Sequence, residues 1–98
     1  MEKIYFTVTG TCFRCGTDFA EPGMKVHLIK EPDNDYDNEA IMVKMDGLGL
    51  IGYVANSLHT VIGESYSAGR LYDKIDETAE GTIVYVLKEG LLCSVDEQ

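Results

Sequence analysis

The residues with the most chemistry per position lie in one acidic stretch. Lys30 to Ile41 reads KEPDNDYDNEAI and sets Asp33, Asn34, Asp35, Tyr36, Asp37, Asn38 and Glu39 in succession. Carboxylates and amides this close can hold a hard cation, close a turn by capping backbone N–H groups, or accept hydrogen bonds from a ligand hydroxyl or amine. Calcium is the poorest match. Asp33, Asp35 and Asp37 fall at the first three ligand positions of an EF-hand loop, but that loop wants Gly sixth and Glu twelfth, where this chain has Asn38 and Lys44. The residues themselves leave the other two readings open. In one, Asn34, Asp35 and Asp37 close a turn and Tyr36 packs on the body of the fold; in the other, the same side chains meet a ligand.

A second constellation is Cys12-Phe-Arg-Cys15, with the spacing of half a zinc site or of a redox pair. The remaining candidate ligands, Cys93, His27 and His59, are scattered and complete no second C-x-x-C or H-x-x-x-H. Gly16, Pro22 and Gly23 predict a loop after the pair, whereas a thioredoxin-type pair opens a helix. Cys12 and Cys15 are thus the one pair with metal-ligand spacing, and neither metal nor cofactor is expected. Ser57, Ser65, Ser67 and Ser94 form no G-x-S-x-G elbow, and Gly47-Leu-Gly49 precedes a strand pattern where a phosphate cradle would precede a helix. The chain is read as non-enzymatic.

The elements that must position these residues are mostly strands. Lys3–Thr9 (KIYFTVT) is rich in aromatic and β-branched residues, and Met24–Lys30 alternates with Met24, Val26 and Leu28 on one face. Ala40–Met45 and Leu50–Val54 flank Asp46-Gly47 and Gly49 as a hairpin, and Gly52 inside the fourth strand marks a bulge or a close backbone approach. Leu58, Val61, Ile62 and Tyr66 share one helical face, which predicts a helix over 56–68 capped by Asn56 or Ser57 and stopped at Gly69. Leu71–Thr78 and Thr82–Lys88 read as strands around a Glu80-Gly81 turn, and Leu91–Val95 as a last strand with Cys93 in the core. The order β-β-β-β-α-β-β-β predicts a mainly β fold: a small OB-like or SH3-like antiparallel barrel of six or seven strands, with one helix between the fourth and fifth.

Composition limits the partners. The 98 residues suit a single domain, 1–98, with 45% hydrophobic residues. Lys and Arg number 8 against 17 Asp and Glu, a formal charge of −9. That excludes a binder held by bulk attraction to phosphate and disfavours an anionic membrane surface. The longest apolar run, Ile83–Leu87, falls far short of the ~20 residues of a membrane span. With three cysteines, an odd number, the expected compartment is the cytoplasm.

Beyond these physical readings, the chain resembles the HIRAN domain, a module of SWI2/SNF2-type DNA translocases and of stand-alone bacterial proteins. The resemblance rests on Glu31-Pro32, Asn34, Tyr36-Asp37, Ala40-Ile41 and Gly52-Tyr53-Val54 in that order, preceded by Val8, Gly10 and Phe13. It covers roughly Tyr5 to Leu87. It implies an OB-like barrel that recognises the 3′ end of single-stranded DNA, in repair or replication-fork processing, beside a helicase or nuclease partner. Carried over, Phe13 and Tyr36 would stack on bases, Asn34 would contact the terminal nucleotide, Asp37 would accept from its 3′-hydroxyl, and Tyr53 would lie nearby. The chain departs from the family pattern in having Cys12 where the DNA-binding members carry Arg, and Ala55-Asn56 where they carry Lys. The alternative is a protein–protein interaction module that keeps the barrel, has lost DNA binding and offers its acidic surface to a basic partner.

Overall fold

Alternation at period two decides which way each strand faces. Ile4, Phe6 and Val8 of β1 (Lys3–Thr9), Val26 and Leu28 of β2 (Lys25–Glu31), and Ile41, Val43 and Met45 of β3 (Ala40–Met45) are all buried. So are Ile51 and Val54 of β4 (Gly49–Val54), Ile83 of β5 (Thr78–Leu87), and Leu91, Cys93 and Val95 of β6 (Gly90–Asp96). Strands of this kind can bury their apolar faces by closing on themselves. In the computed structural model, which describes residues 3–9, 20–34, 39–56, 65–87 and 90–96, they form a closed antiparallel barrel in the order β1-β4-β3-β2-β5-β6. The expected fold is therefore present, with six strands and one short helix between β4 and β5.

Three glycines permit the closure. A Cβ on Gly52 would stand 2.2 Å from the Thr9 carbonyl oxygen, and one on Gly90 would stand 2.1 Å from that of Val8. The end of β1 is thus gripped on both sides at near-contact distance, with Val8 opposite Val54 and Thr9 opposite Tyr53 on one edge and Val8 opposite Leu91 on the other. Gly52 serves as the close approach its position suggested, while the register shift lies opposite, between Val43 and Lys44. Gly81 was expected in a turn. It is inside β5, paired with Val26, because a Cβ there would meet the Ser94 carbonyl at 2.8 Å and crowd the Phe6 ring.

The helix differs from expectation. The helical face of Leu58, Val61 and Ile62 lies outside the described residues. The described helix, α1, runs Ala68–Tyr72, starting where the expected one was to stop. Ala68, Leu71 and Ile75 are buried at spacings of three and four, a helical period that continues into the following turn. The expected strand over 71–78 is accordingly this helix and turn, and β5 begins only at Thr78. Two caps start α1: Ser67 Oγ accepts from Arg70 N at 3.4 Å, and Asn56 Oδ1 accepts from Gly69 N at 2.8 Å. Asn56 does act as a cap, but from the end of β4 and across 13 residues.

Cys93 is in the core as expected, and burial pushes its thiol up from 9.0 to about 12. The folded state holds the thiol neutral while the unfolded chain ionises it above pH 9, so stability is intact below that pH and falls as pH rises toward 12. The expected slope is about 1.4 kcal/mol per pH unit over that window, and it should vanish in Cys93→Ala. Native-state alkylation at pH 8, mapped by mass spectrometry, should leave Cys93 unmodified; labelling at the rate of the unfolded chain would contradict its burial.

Candidate nucleic-acid interface

The acidic stretch leaves the barrel at the end of β2. Two of the five proposed contact residues, Asn34 and Tyr53, lie within the described residues, and the structure brings them together through a third. Asn34 Nδ2 donates to Glu31 Oε1 at 2.5 Å, and Tyr53 Oη donates to the same oxygen at 3.2 Å. The backbone N–H of Asn34 also donates to the Glu31 carbonyl at 3.1 Å, closing a turn over Pro32 and Asp33. Phe13, Tyr36 and Asp37 lie outside the described residues, as do Cys12 and Cys15. Among the described residues, no group of three or more His, Cys, Asp or Glu is arranged to hold a metal.

Glu31 is the residue that sequence reasoning missed. It belonged to the Glu31-Pro32 signature but was assigned no contact. Its strand-end position, with Pro32 forcing the chain out of the sheet, was the available signal. Tyr53 is reached from β4, where it sits between Thr9 of β1 and Met42 of β3. The Glu31–Tyr53 contact therefore ties the acidic loop to the strand beside which β1 ends, one residue before the 10–19 segment that carries Phe13.

At the far end of the loop the Glu39 carboxylate comes close to α1. Glu39 Oε1 lies over Gly69, where a Cβ would stand 2.8 Å from it. Any side chain there would push the carboxylate away. At the near end, Lys30 Nζ stands 4.4 Å from the centroid of the Tyr72 ring, and Arg70 lies 4.0 Å above the ring of Tyr66. Both rings belong to α1 or its lead-in, whereas Lys30 comes from β2 and Arg70 from α1 itself. Neither cation occupies a position where the family pattern predicted one.

The electrostatics of this arrangement are selective. Glu31, Asp33 and Glu39 all carry carboxylates on or beside the loop, and each repels a phosphate brought against it. The same groups accept hydrogen bonds from hydroxyls and amines. These carboxylates thus suit a neutral hydrogen-bond donor better than a phosphate.

Compared with known families, the chain matches the HIRAN domain over residues 1–97, and it belongs to that family. The chain is accordingly a nucleic-acid-binding module, of a kind that binds DNA and is not a catalytic domain. Among solved structures it is similar to the crystal structure of the HIRAN domain of human HLTF, at 19% identity and a TM-score of 0.63, over 95% of this chain and 74% of that one. No curated protein sequence matches. No described helix is long and apolar enough to cross a membrane.

Proposed function

We propose that this module reads the 3′ end of single-stranded DNA, with Asn34, Tyr36 and Asp37 at the terminal nucleotide, Phe13 stacking on a neighbouring base, and Tyr53 supporting the loop through Glu31. The observation that carries the reading is the shared Glu31 oxygen, which ties Asn34 to Tyr53 and fixes the start of an acidic loop against the barrel. An acidic loop is a poor seat for a chain of phosphates and a good one for the single hydroxyl at which that chain stops. Such a module serves repair or fork processing by delivering a helicase or nuclease to a free end.

The competing reading, an acidic module for a basic protein, draws on the net charge of −9 and on the exposed Tyr5 and Tyr85. One competition experiment separates the two. Linear single-stranded DNA should displace a labelled oligonucleotide from the protein, and a circular single strand of the same composition should not, because it has no end. Equal competition by the circle would reject end reading. No binding of the labelled strand at all would favour the protein-partner reading.

Glu31→Gln tests the support. The amide oxygen still accepts from Asn34 or Tyr53, but the charge is lost, and hydrogen bonds to charged groups contribute about 1.5–3 kcal/mol against about 1 for neutral ones. The expected result is weaker end binding, by up to about tenfold, with the melting temperature within a few degrees of wild type. Unchanged affinity would remove Glu31 from the account.

A further inference from the structure

We infer that the outer face of β1, β6 and β5 is a docking surface for an extended basic segment of a partner protein, in which two arginines four residues apart cover Tyr5 and Tyr85. The surface is separate from the acidic loop, and the inference does not rest on end reading.

Cross-strand pairing builds the face. Tyr5 of β1 stands opposite Ser94 of β6, and Ser94 stands opposite Thr82 of β5. One row along, Leu92 of β6 stands opposite Tyr85 of β5. Alternation turns these residues away from the core positions Phe6, Ile83 and Cys93. Tyr5 is 44% exposed and Tyr85 60%, whereas the small Ser94 between their strands is buried. The two rings therefore stand on either side of a lower shelf made by Ser94 and Leu92. Tyr5 is fixed on its other edge as well, where its carbonyl accepts from the Tyr66 N–H at 2.6 Å.

The chemistry of the occupant follows from how the chain treats its other rings. Lys30 covers Tyr72, Arg70 covers Tyr66, and the Tyr53 hydroxyl donates to Glu31. Among the described residues, Tyr5 and Tyr85 are the exposed tyrosines with no cation over the ring. A ring face attracts a cation, and a net charge of −9 draws a basic partner toward it. Asp96 and Glu80, both exposed, lie two residues beyond Ser94 and Thr82 on the same strands, within the face. Arginine suits the site better than lysine, because its planar guanidinium stacks on a ring and still donates to a carboxylate. Lys3, opposite Asp96, and Lys25, whose Nζ donates to Thr82 Oγ1 at 3.1 Å, stand at the margins and are the charges set against it.

Spacing fixes the register of the segment. Tyr5 and Tyr85 are two strands and one row apart, roughly 12 Å, close to the ~13 Å between residues i and i+4 of an extended chain. Residue i+2 points to the same side and falls on the Leu92 shelf. The segment is thus Arg-x-Leu-x-Arg. In the barrel order β1-β4-β3-β2-β5-β6, β6 lies across from β3, the strand into which the acidic loop runs. A segment on this face leaves that loop open, so partner and loop ligand can be held together.

The test is titration of the nitrogen-15-labelled protein at low salt with the peptide Gly-Arg-Ser-Leu-Ser-Arg-Gly, followed by amide shifts. Two control peptides replace both arginines by citrulline or set the arginines side by side. Shifts should centre on Tyr5, Tyr85, Leu92 and Ser94, and both controls should bind more weakly. One exposed cation–π contact is worth about two- to fivefold in affinity, so Tyr5→Leu and Tyr85→Leu should each weaken binding by that factor. Both variants keep the net charge, so general attraction of a basic peptide is retained in each. Tyr85 is the more exposed, and Tyr85→Leu keeps the fold even if Tyr5→Leu lowers stability. Equal affinity of wild type and Tyr85→Leu, equal binding of the citrulline peptide, shifts confined to the acidic loop, or no binding by wild type would each overturn the docking surface. None of these outcomes bears on end reading.

Discussion

Gly52→Ala is expected to lower the stability of the barrel by about 3 kcal/mol, at the upper end of what overpacking costs. The added methyl would lie 2.2 Å from the Thr9 carbonyl oxygen, and a backbone atom cannot swing aside as a side-chain tip can. The seam it would force open has the shortest register among the described strands. Among the described residues β1 pairs with β4 through Val8–Val54 and Thr9–Tyr53, reinforced by the Ala55 N–H donating to the Thr7 carbonyl at 2.8 Å, whereas it pairs with β6 along six residues. Urea unfolding should show the midpoint lowered by about 1–3 M with little change in slope. A midpoint within a few tenths of a molar of wild type would show that the two strands have room to part. The consequence is also functional, because Gly52 adjoins Tyr53 and the seam ends where the Phe13 segment begins. A Gly52→Ala protein that still folds should therefore also bind DNA ends more weakly.

Tyr36→Ala is expected to weaken binding to single-stranded DNA by roughly 5- to 150-fold, the range for removing one base–aromatic stack. Tyr36→Phe should restore most of the affinity, since stacking needs the ring and tolerates loss of the hydroxyl. Fluorescence anisotropy with a short labelled strand reads both. If Tyr36→Ala binds as wild type does, Tyr36 is a packing residue of the loop, and the stacking assignment falls with it. The effect is expected to be large because the net charge of −9 leaves little general attraction to phosphate. A binder of this charge depends on a few specific contacts, so losing one costs a larger share of the whole.

Much of the barrel was legible because strand signals are local. The alternation of Ile4, Phe6 and Val8, or of Ile41, Val43 and Met45, is visible within six residues and survives in the structure unchanged. The start of the segment expected as a strand over 71–78, which is the end of α1, was misread for the complementary reason. Ala68, Leu71 and Ile75 carry a helical period over too few residues to stand out from a strand, and the cap that starts α1 comes partly from Asn56, remote in sequence. Glycine was the most ambiguous letter. Gly69 and Gly81 read as stop and turn, yet Gly69 lies inside α1, and Gly81 lies inside β5 because the Ser94 carbonyl occupies the space of a side chain.

The site divides the same way. Asn34 and Tyr53 were singled out from the family resemblance, and the structure does bring them together. What joins them, Glu31, makes one bond three residues away and another 22 residues away, and only the folded chain shows that both end on one oxygen. The cations were harder still. The family positions at Cys12 and Ala55-Asn56 carry none, and the cations that the structure seats over rings are Lys30 on Tyr72 and Arg70 on Tyr66.

The central claim is that the acidic loop recognises a terminal hydroxyl. The most direct test is anisotropy at about 20 mM salt, where phosphate attraction is least screened, with two labelled single strands identical except for a 3′-hydroxyl or a 3′-phosphate. The hydroxyl strand should bind, and the phosphate should cost at least about tenfold, because an anionic group is then brought against Asp37 and its neighbours. Equal affinity for the two strands would contradict it.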